Sequence, residues 1–323
     1  MAKDDKRPFV GVDLGGTNIQ AGVVDHNHKV LGTKKVKTDA DEGAAAVVDR
    51  IARSIEKAID KANVKKEDIG GVCVGAPGTV DIHKGIVVNA TNLRWNDFPL
   101  VEHLTKEVGL PVTLDNDVNV GTWGEFRVGA AKEFDDVLGI FVGTGIGGGL
   151  VLDGRLYHGA MLTAGEIGHT AMQPDAPLGR RTLENLASRT NVVNLLVNLI
   201  RANNASAISE IAGSDLTDIR SKVIAEAVNR KDPLTLEVLR DAAHYVGASI
   251  ANTVTLLSLP CVIVGGGLTE AVGEPWMNWV RESFEKLVFP PELRRCKVVA
   301  ASLGDDAGLV GAALLARERL AGN

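Results

Sequence analysis

Two glycine-rich turns, DLGGTN at 13–18 and GTGIGGG at 143–149, constrain the fold of this chain most strongly, because each lies between two apolar, β-branched runs. Gly143, Gly145 and Gly148 satisfy the G-x-G-x-x-G spacing of a dinucleotide-binding loop, and Glu166 lies near the distance expected of its ribose acid. That loop needs a helix after the glycines, since the helix N-terminus holds the pyrophosphate. Here LVLDGRLYHG follows, which reads as strand and turn. A Walker loop is excluded because no GxxxxGK[ST] occurs. Paired glycine turns, each opening a stretch of similar element order, imply instead a duplicated α/β unit whose hairpins face one another across a cleft.

The pattern between the turns fits that reading. FVGVDL, NIQAGVVD and KVLGTKKVK form an antiparallel meander, and residues 43–62 place Val47, Ile51, Ile55, Ile59 and Ala62 on one helical face. A strand at IGGVCVGAPG, a short helix at PLVEHLTKEVG, a strand at PVTLDND and a helix of small residues at VNVGTWGEFRVG follow. From Val137 the order begins again: strand, glycine turn, strand, then helical patterns at about 183–202 and 234–258. The second runs straight into the strand CVIVGGG, and a helix at 276–288, a strand KVVAAS and a helix DAGLVGAALLARERL close the chain.

At 323 residues and 45% hydrophobic content, two lobes are the default. We expect an N-terminal lobe of 1–117 plus 303–323 and a C-terminal lobe of 118–302. A net charge of -6 without a long basic run argues against a nucleic-acid or anionic-membrane partner and for a small-molecule ligand. Cys73, Cys261 and Cys296 are dispersed in apolar stretches without CxxC spacing, as buried thiols are in a reducing compartment. The N-terminus MAKDDKRP is polar, and no apolar run reaches the ~18 residues of a membrane span. The expected location is cytoplasmic.

Backbone N–H groups at bare glycine turns can approach phosphate oxygens, and Thr17 and Thr144 add hydroxyl donors. A carboxylate beside a polyphosphate is repelled unless a divalent cation lies between them, so Asp13 suggests Mg²⁺, bound directly or through water. Asp, Gly and Asn are also ordinary turn formers, and a single such turn fits a plain hairpin equally well. The repetition favours the phosphate reading.

With these motifs in place the chain resembles the ROK family of sugar kinases and sugar-responsive repressors, most closely its bacterial glucokinases. The pieces are DLGGTN, GAPGTVD (75–81), TNLRW (91–95), DNDVN (115–119), GTGIGGG, GEIGH (165–169), LENLAS (183–188), VGGG (264–267) and LGDDAGLVGAA (303–313), in the family's order. The resemblance implies a duplicated actin, hexokinase and Hsp70-like (ribonuclease H-like) ATPase fold with two lobes around a cleft. It implies ATP-dependent phosphorylation of a hexose, at O6 for a glucokinase, with Mg²⁺. Asp117 becomes the general base, and Asn116 holds a sugar hydroxyl; DND also reads as an Asx turn and N-cap for the helix that follows. Gly78, Asn92, Trp95, Glu166, His169 and Glu184 would contact the sugar. Asp13, Gly15, Gly16, Thr17, Asn18, Thr144 and Gly145 would serve the nucleotide phosphates, and Gly265, Gly266 and Gly267 its adenine, although a Gly-rich strand end also serves as a packing bend.

One departure stands out. Most family members carry three cysteines between the GEIGH and LE motifs and bind a structural zinc with the histidine; this chain reads MQPDAPLGRRTLE there, with no cysteine from 74 to 260. Zinc is therefore not expected, and Arg180 or Arg181 is expected to substitute by pairing with a carboxylate. Kinases for N-acetylglucosamine, N-acetylmannosamine, fructose or allose share the motifs, polyphosphate is an alternative donor, and a non-catalytic sugar sensor is the rival outside the enzymes. The family's repressors carry a winged helix-turn-helix ahead of the first strand, for which only a few polar residues stand here. Family habit suggests a homodimer.

Overall fold

The computed structural model describes residues 5–213, 216 and 219–321. The first half opens with β1 (Phe9–Leu14), β2 (Asn18–Val24) and β3 (Val30–Lys37), the expected meander, paired antiparallel with Asp13 opposite Gln20 and Asn18 opposite Lys37. Helix α1 (Ala44–Ala62) buries Val47, Val48, Ile51, Ile55, Ala58 and Ile59 at three- and four-residue spacing and ends at Asn63 in the left-handed region (φ 57°). Next come β4 (Val72–Ala76), β5 (Thr79–Asp81), β6 (Ile86–Ala90), β7 (Trp95–Phe98), α2 (Leu100–Val108), β8 (Val112–Asn116) and α3 (Asp117–Val128).

The second half repeats the opening with β9 (Val137–Val142), β10 (Ile146–Leu152) and β11 (Arg155–Leu156). Then follow α4 (Leu183–Ala187), α5 (Arg189–Arg201), α6 (Ile208–Ile211), α7 (Ser221–Asn229), α8 (Pro233–Leu257), β12 (Cys261–Gly265), α9 (Gly267–Val272), α10 (Glu274–Leu287), β13 (Lys297–Ala300) and α11 (Ala307–Leu320).

The sheet orders show the duplication. One sheet runs β3-β2-β1-β4-β8 and the other β11-β10-β9-β12-β13, so in each the third, second and first strands of a half precede two later ones. The later strands are parallel: β1 with β4, β4 with β8, β9 with β12 and β12 with β13. A separate three-stranded sheet, β5-β6-β7, was not visible in the sequence.

Three details differ from expectation. The helix expected over 183–202 is broken at Ser188, whose extended backbone (ψ 152°) and side chain, accepting from Asn191 N, end α4 and cap α5. Helix α8 does not run straight into β12: Ser258 takes a left-handed cap conformation (φ 56°), and its N–H bonds Val254 O. The glycines after β12 lead into a helix, α9.

The chain divides into two compact units: Met1–Asp135, Gly149–Gly165 and Asp305–Asn323 in unit 1, and Asp136–Gly148 and Glu166–Gly304 in unit 2. Residues 1–117 and 305–323 of the expected N-terminal lobe lie in unit 1, which also takes α3 and residues 149–165. Close packing explains the place of α3. A Cβ on Gly311 of α11 would lie 1.7 Å from Val120 O of α3, and one on Gly124 would lie 2.7 Å from Ala307 O. Gly311→Ala should therefore force the helices apart and lower stability by about 3 kcal/mol, read as a fall in the urea midpoint. Unchanged unfolding would show that the contact yields.

Candidate functional site

In unit 1 the register of adjoining strands sets Asp13, Gly75 and Asp115 abreast, Asp13 beside Gly75 and Gly75 beside Asp115. The β1–β2 turn closes with Gly15 N donating to Asn18 O at 2.9 Å, and leaves Gly16, Thr17 and Asn18 exposed. Gly16 lies against Asn92, whose Cβ would be 3.0 Å from a methyl there. Asp13 is half-buried and accepts no hydrogen bond among the described residues. Burial, offset in part by Lys35 and reinforced by Asp305, pushes its carboxyl up to about 6. Gly308 leaves the room it occupies, since a Cβ there would be 3.0 Å from Asp13 Cγ. A desolvated, unsatisfied carboxylate at a turn of bare N–H groups fits a hard divalent cation.

The DND motif divides its labour. Asp115 is fully buried; its Oδ1 accepts from Asn116 N (2.8 Å) and Asn119 Nδ2 (3.0 Å), while its Oδ2 meets His158 Nε2 at 2.8 Å and the guanidinium of Arg319. Burial alone would push this carboxyl up; the hydrogen bond from His158 and the charge of Arg319 outweigh it and hold it below the ordinary carboxylate value. Asn116 is the N-cap of α3, its Oδ1 accepting from Val118 N and Asn119 N, and its Nδ2 donates to Gly78 O at 3.0 Å. Asp117 is half-buried at the first turn of α3, with Oδ1 accepting from Val118 N at 2.9 Å. Gly75 backs it, because a Cβ there would stand 3.3 Å from Asp117 Cα. Gly78, Asn116 and Asp117 thus come together. Trp95, expected beside the sugar, is a core side chain 4% exposed and packed on Phe98.

In unit 2 the β9–β10 turn closes with Gly143 N donating to Gly145 O, and Glu184 reaches under it. Glu184 Oε2 accepts from Ile146 N at 2.9 Å, and a Cβ on Gly145 would stand 2.3 Å from the same oxygen, so a side chain there would push the Glu184 carboxylate aside. The start of α5 is sewn to this turn: Arg189 N bonds Gly143 O, Thr190 Oγ1 bonds Thr144 O at 2.7 Å, and Arg189 Nη2 donates to Thr144 Oγ1 at 2.9 Å. Glu166 and His169 are exposed, with His169 Nε2 lying 4.0 Å from Glu166 Oε2.

After β12, Gly265 and Gly266 answer to packing. A Cβ on Gly265 would meet the Phe141 ring at 2.8 Å, and Gly266, at φ 89°, abuts Val142 N and O at 2.7 Å. Gly267, with only Ser221 Oγ near at 3.6 Å, stands open. The expected pairing of Arg180 or Arg181 with a carboxylate is absent among the described residues: Arg181 Nε instead donates to Ala176 O at 2.7 Å. Backbone bonds close this loop, with Met172 N on Arg181 O and Leu183 N on Thr170 O, so a nearby charge is not what holds it.

Sequence reasoning missed Arg189, one residue beyond LENLAS, and the shell of Asp115, because side-chain reach is not encoded in spacing. The cysteines are all buried, and burial pushes their thiols up to about 12, as inert core groups. No described helix is long and apolar enough to cross a membrane.

The duplicated sheets with their paired glycine turns define the two-lobed actin and hexokinase-like ATPase fold. Within that class the chain belongs to the ROK family, which it matches over residues 9–319. It is 37% identical over 316 residues to a glucokinase of Streptomyces coelicolor, covering 96% of this chain and 97% of that protein. It is 31% identical to a glucokinase of Halalkalibacterium halodurans, covering 97% and 96% respectively. Among solved structures, a ROK family glucokinase from Streptomyces griseus in complex with glucose and AMPPNP superposes with a TM-score of 0.85 at 36% identity, covering 96% of this chain and 99% of that one.

Proposed function

We propose that this chain is a glucokinase that moves the γ-phosphoryl group of ATP to O6 of glucose, with Asp117 as general base. That it is an ATP-dependent sugar kinase follows from its family and relatives; the choice of hexose and the base are the finer reading. The observation that carries the base is the division within DND. Asp115 is enclosed on both oxygens and Asn116 caps a helix, whereas Asp117 is the accessible carboxyl of the three residues.

In the reaction the sugar hydroxyl oxygen attacks phosphorus as the bond to the bridging oxygen of ADP breaks, and Asp117 takes the hydroxyl proton. Mg²⁺, when bound, supplies charge neutralisation on the phosphates, and Asp13 is the residue that would hold it, directly or through water. The N–H groups of Gly15, Gly16, Thr17 and Asn18, and those of Thr144 and Gly145, would face phosphate oxygens, with the adenine near Gly265, Gly266 and Gly267. Gly78, Asn92, Asn116, Glu166, His169 and Glu184 would order the sugar hydroxyls.

A coupled assay of ADP release over a panel of glucose, mannose, fructose, allose, N-acetylglucosamine and N-acetylmannosamine tests the reading. Glucose should give the highest kcat/KM. A higher value for an N-acetylated sugar would reassign the substrate, and sugar binding without turnover would replace the kinase with a sensor.

A further inference from the structure

Neither glycine turn contains a cation, and no P-loop lysine exists in this chain. Arg189 supplies a cation to the second turn. Its Nη2 donates to Thr144 Oγ1 at 2.9 Å, and its Nη1 lies 3.5 Å from Ser221 Oγ, the first residue of α7. That same hydroxyl oxygen is the nearest neighbour of the open side of Gly267. The guanidinium therefore spans, within unit 2, from the glycine turn expected at the phosphates to the glycines expected at the adenine. It is half-buried, and no carboxylate pairs with it among the described residues.

We infer that Arg189 is a phosphate-binding residue of the nucleotide site, its remaining N–H groups donating to the polyphosphate of ATP and ADP; this rests on the kinase reading above. A planar guanidinium already fixed by a threonine and a serine hydroxyl presents its fork with little further ordering, and such charge-assisted bonds to phosphate are the strong ones. The role adds charge recognition to a turn that otherwise offers only amide and hydroxyl dipoles. It explains why α5 is tied to the turn at three points, since Arg189 N, Arg189 Nη2 and Thr190 Oγ1 together hold the guanidinium in register with residues 143–144.

Calorimetric titration of the full chain with ADP and with adenosine, both with Mg²⁺, tests this on wild type, Arg189→Gln and Arg189→Lys. Arg189→Gln should weaken ADP binding about ten- to a hundredfold, the loss expected for a hydrogen bond to a charged group, and leave adenosine unchanged. Arg189→Lys, which keeps the charge but not the fork, should recover part of the loss. In steady state the KM for ATP should rise with the KM for glucose unmoved. Equal ADP affinity in wild type and Arg189→Gln would overturn the inference. So would parallel losses for ADP and adenosine, or equal losses in Gln and Lys variants, which mark a residue that only pins the helix. Glucose titration reports whether each variant is folded. Absence of phosphorylation by a wild-type protein that still binds ADP would count against the kinase reading and leave the ADP comparison to decide on Arg189.

Discussion

Asp117→Asn is expected to slow sugar phosphorylation by about a hundred- to ten-thousandfold, the range a well-placed general base contributes. The substitution keeps the shape of the side chain and an Oδ1 that can still accept from Val118 N, so the first turn of α3 should survive. Its cap is Asn116, which is untouched. The effect should fall on kcat, with the KM for glucose altered little, because the proton is transferred only as the phosphoryl group moves. A variant within about threefold of wild-type kcat would remove Asp117 from the chemistry. A large rise in glucose KM with kcat preserved would make it a binding residue instead.

Asp13→Asn should do two opposite things. Turnover should fall on the order of a hundredfold, because the carboxylate that would hold the cation is gone. The metal-free protein should become more stable. The folded value of about 6 lies above the ordinary carboxylate value of 3.8, so the folded state binds the proton more tightly than the unfolded state does. Stability from this group is intact below pH 3.8, is lost as pH rises through 6, and stays lost above it. The penalty at neutral pH is at most about 3 kcal/mol. Thermal melts in EDTA should then show the asparagine variant above wild type at pH 7.5, and the two converging near the ordinary carboxylate value. Mg²⁺ with nucleotide should narrow the difference at pH 7.5. Coincident melts at both pH values would mean that Asp13 is not strained in the absence of metal.

Much of the fold was legible because it is periodic. The meander at 9–37 is rich in β-branched residues and breaks at Gly15–Gly16 and at the polar His26–His28, and α1 carries its apolar residues on one face. The small sheet of β5, β6 and β7 was not legible, since strands of three to five residues give too few positions to establish a period. Helix α9 was hidden because it begins on Gly267, a residue that argues locally against a helix. At the candidate site, the identities of Asp13, Asn116, Asp117 and Glu184 stood in the motifs. The cap stood there too, since DND reads as an N-cap and Asn116 is one. The enclosure of Asp115 did not, because it depends on His158 and Arg319, which no spacing rule connects to residue 115. Likewise the closeness of Gly145 to an oxygen of Glu184, 39 positions later, is not written in any local pattern.

The enclosure of Asp115 bears on how this protein assembles. Arg319, on the last helix, closes on a carboxylate 204 positions earlier, so the turn carrying Asn116 and Asp117 is not completed by neighbours in sequence. Contacts of such separation form late, after the entropy of closing a long loop has been overcome. A folding intermediate in which α11 has not docked would hold the acidic groups of DND without their final geometry. Competence for phosphoryl transfer would then appear together with native closure, and a half-folded molecule would be poorly equipped to hydrolyse ATP.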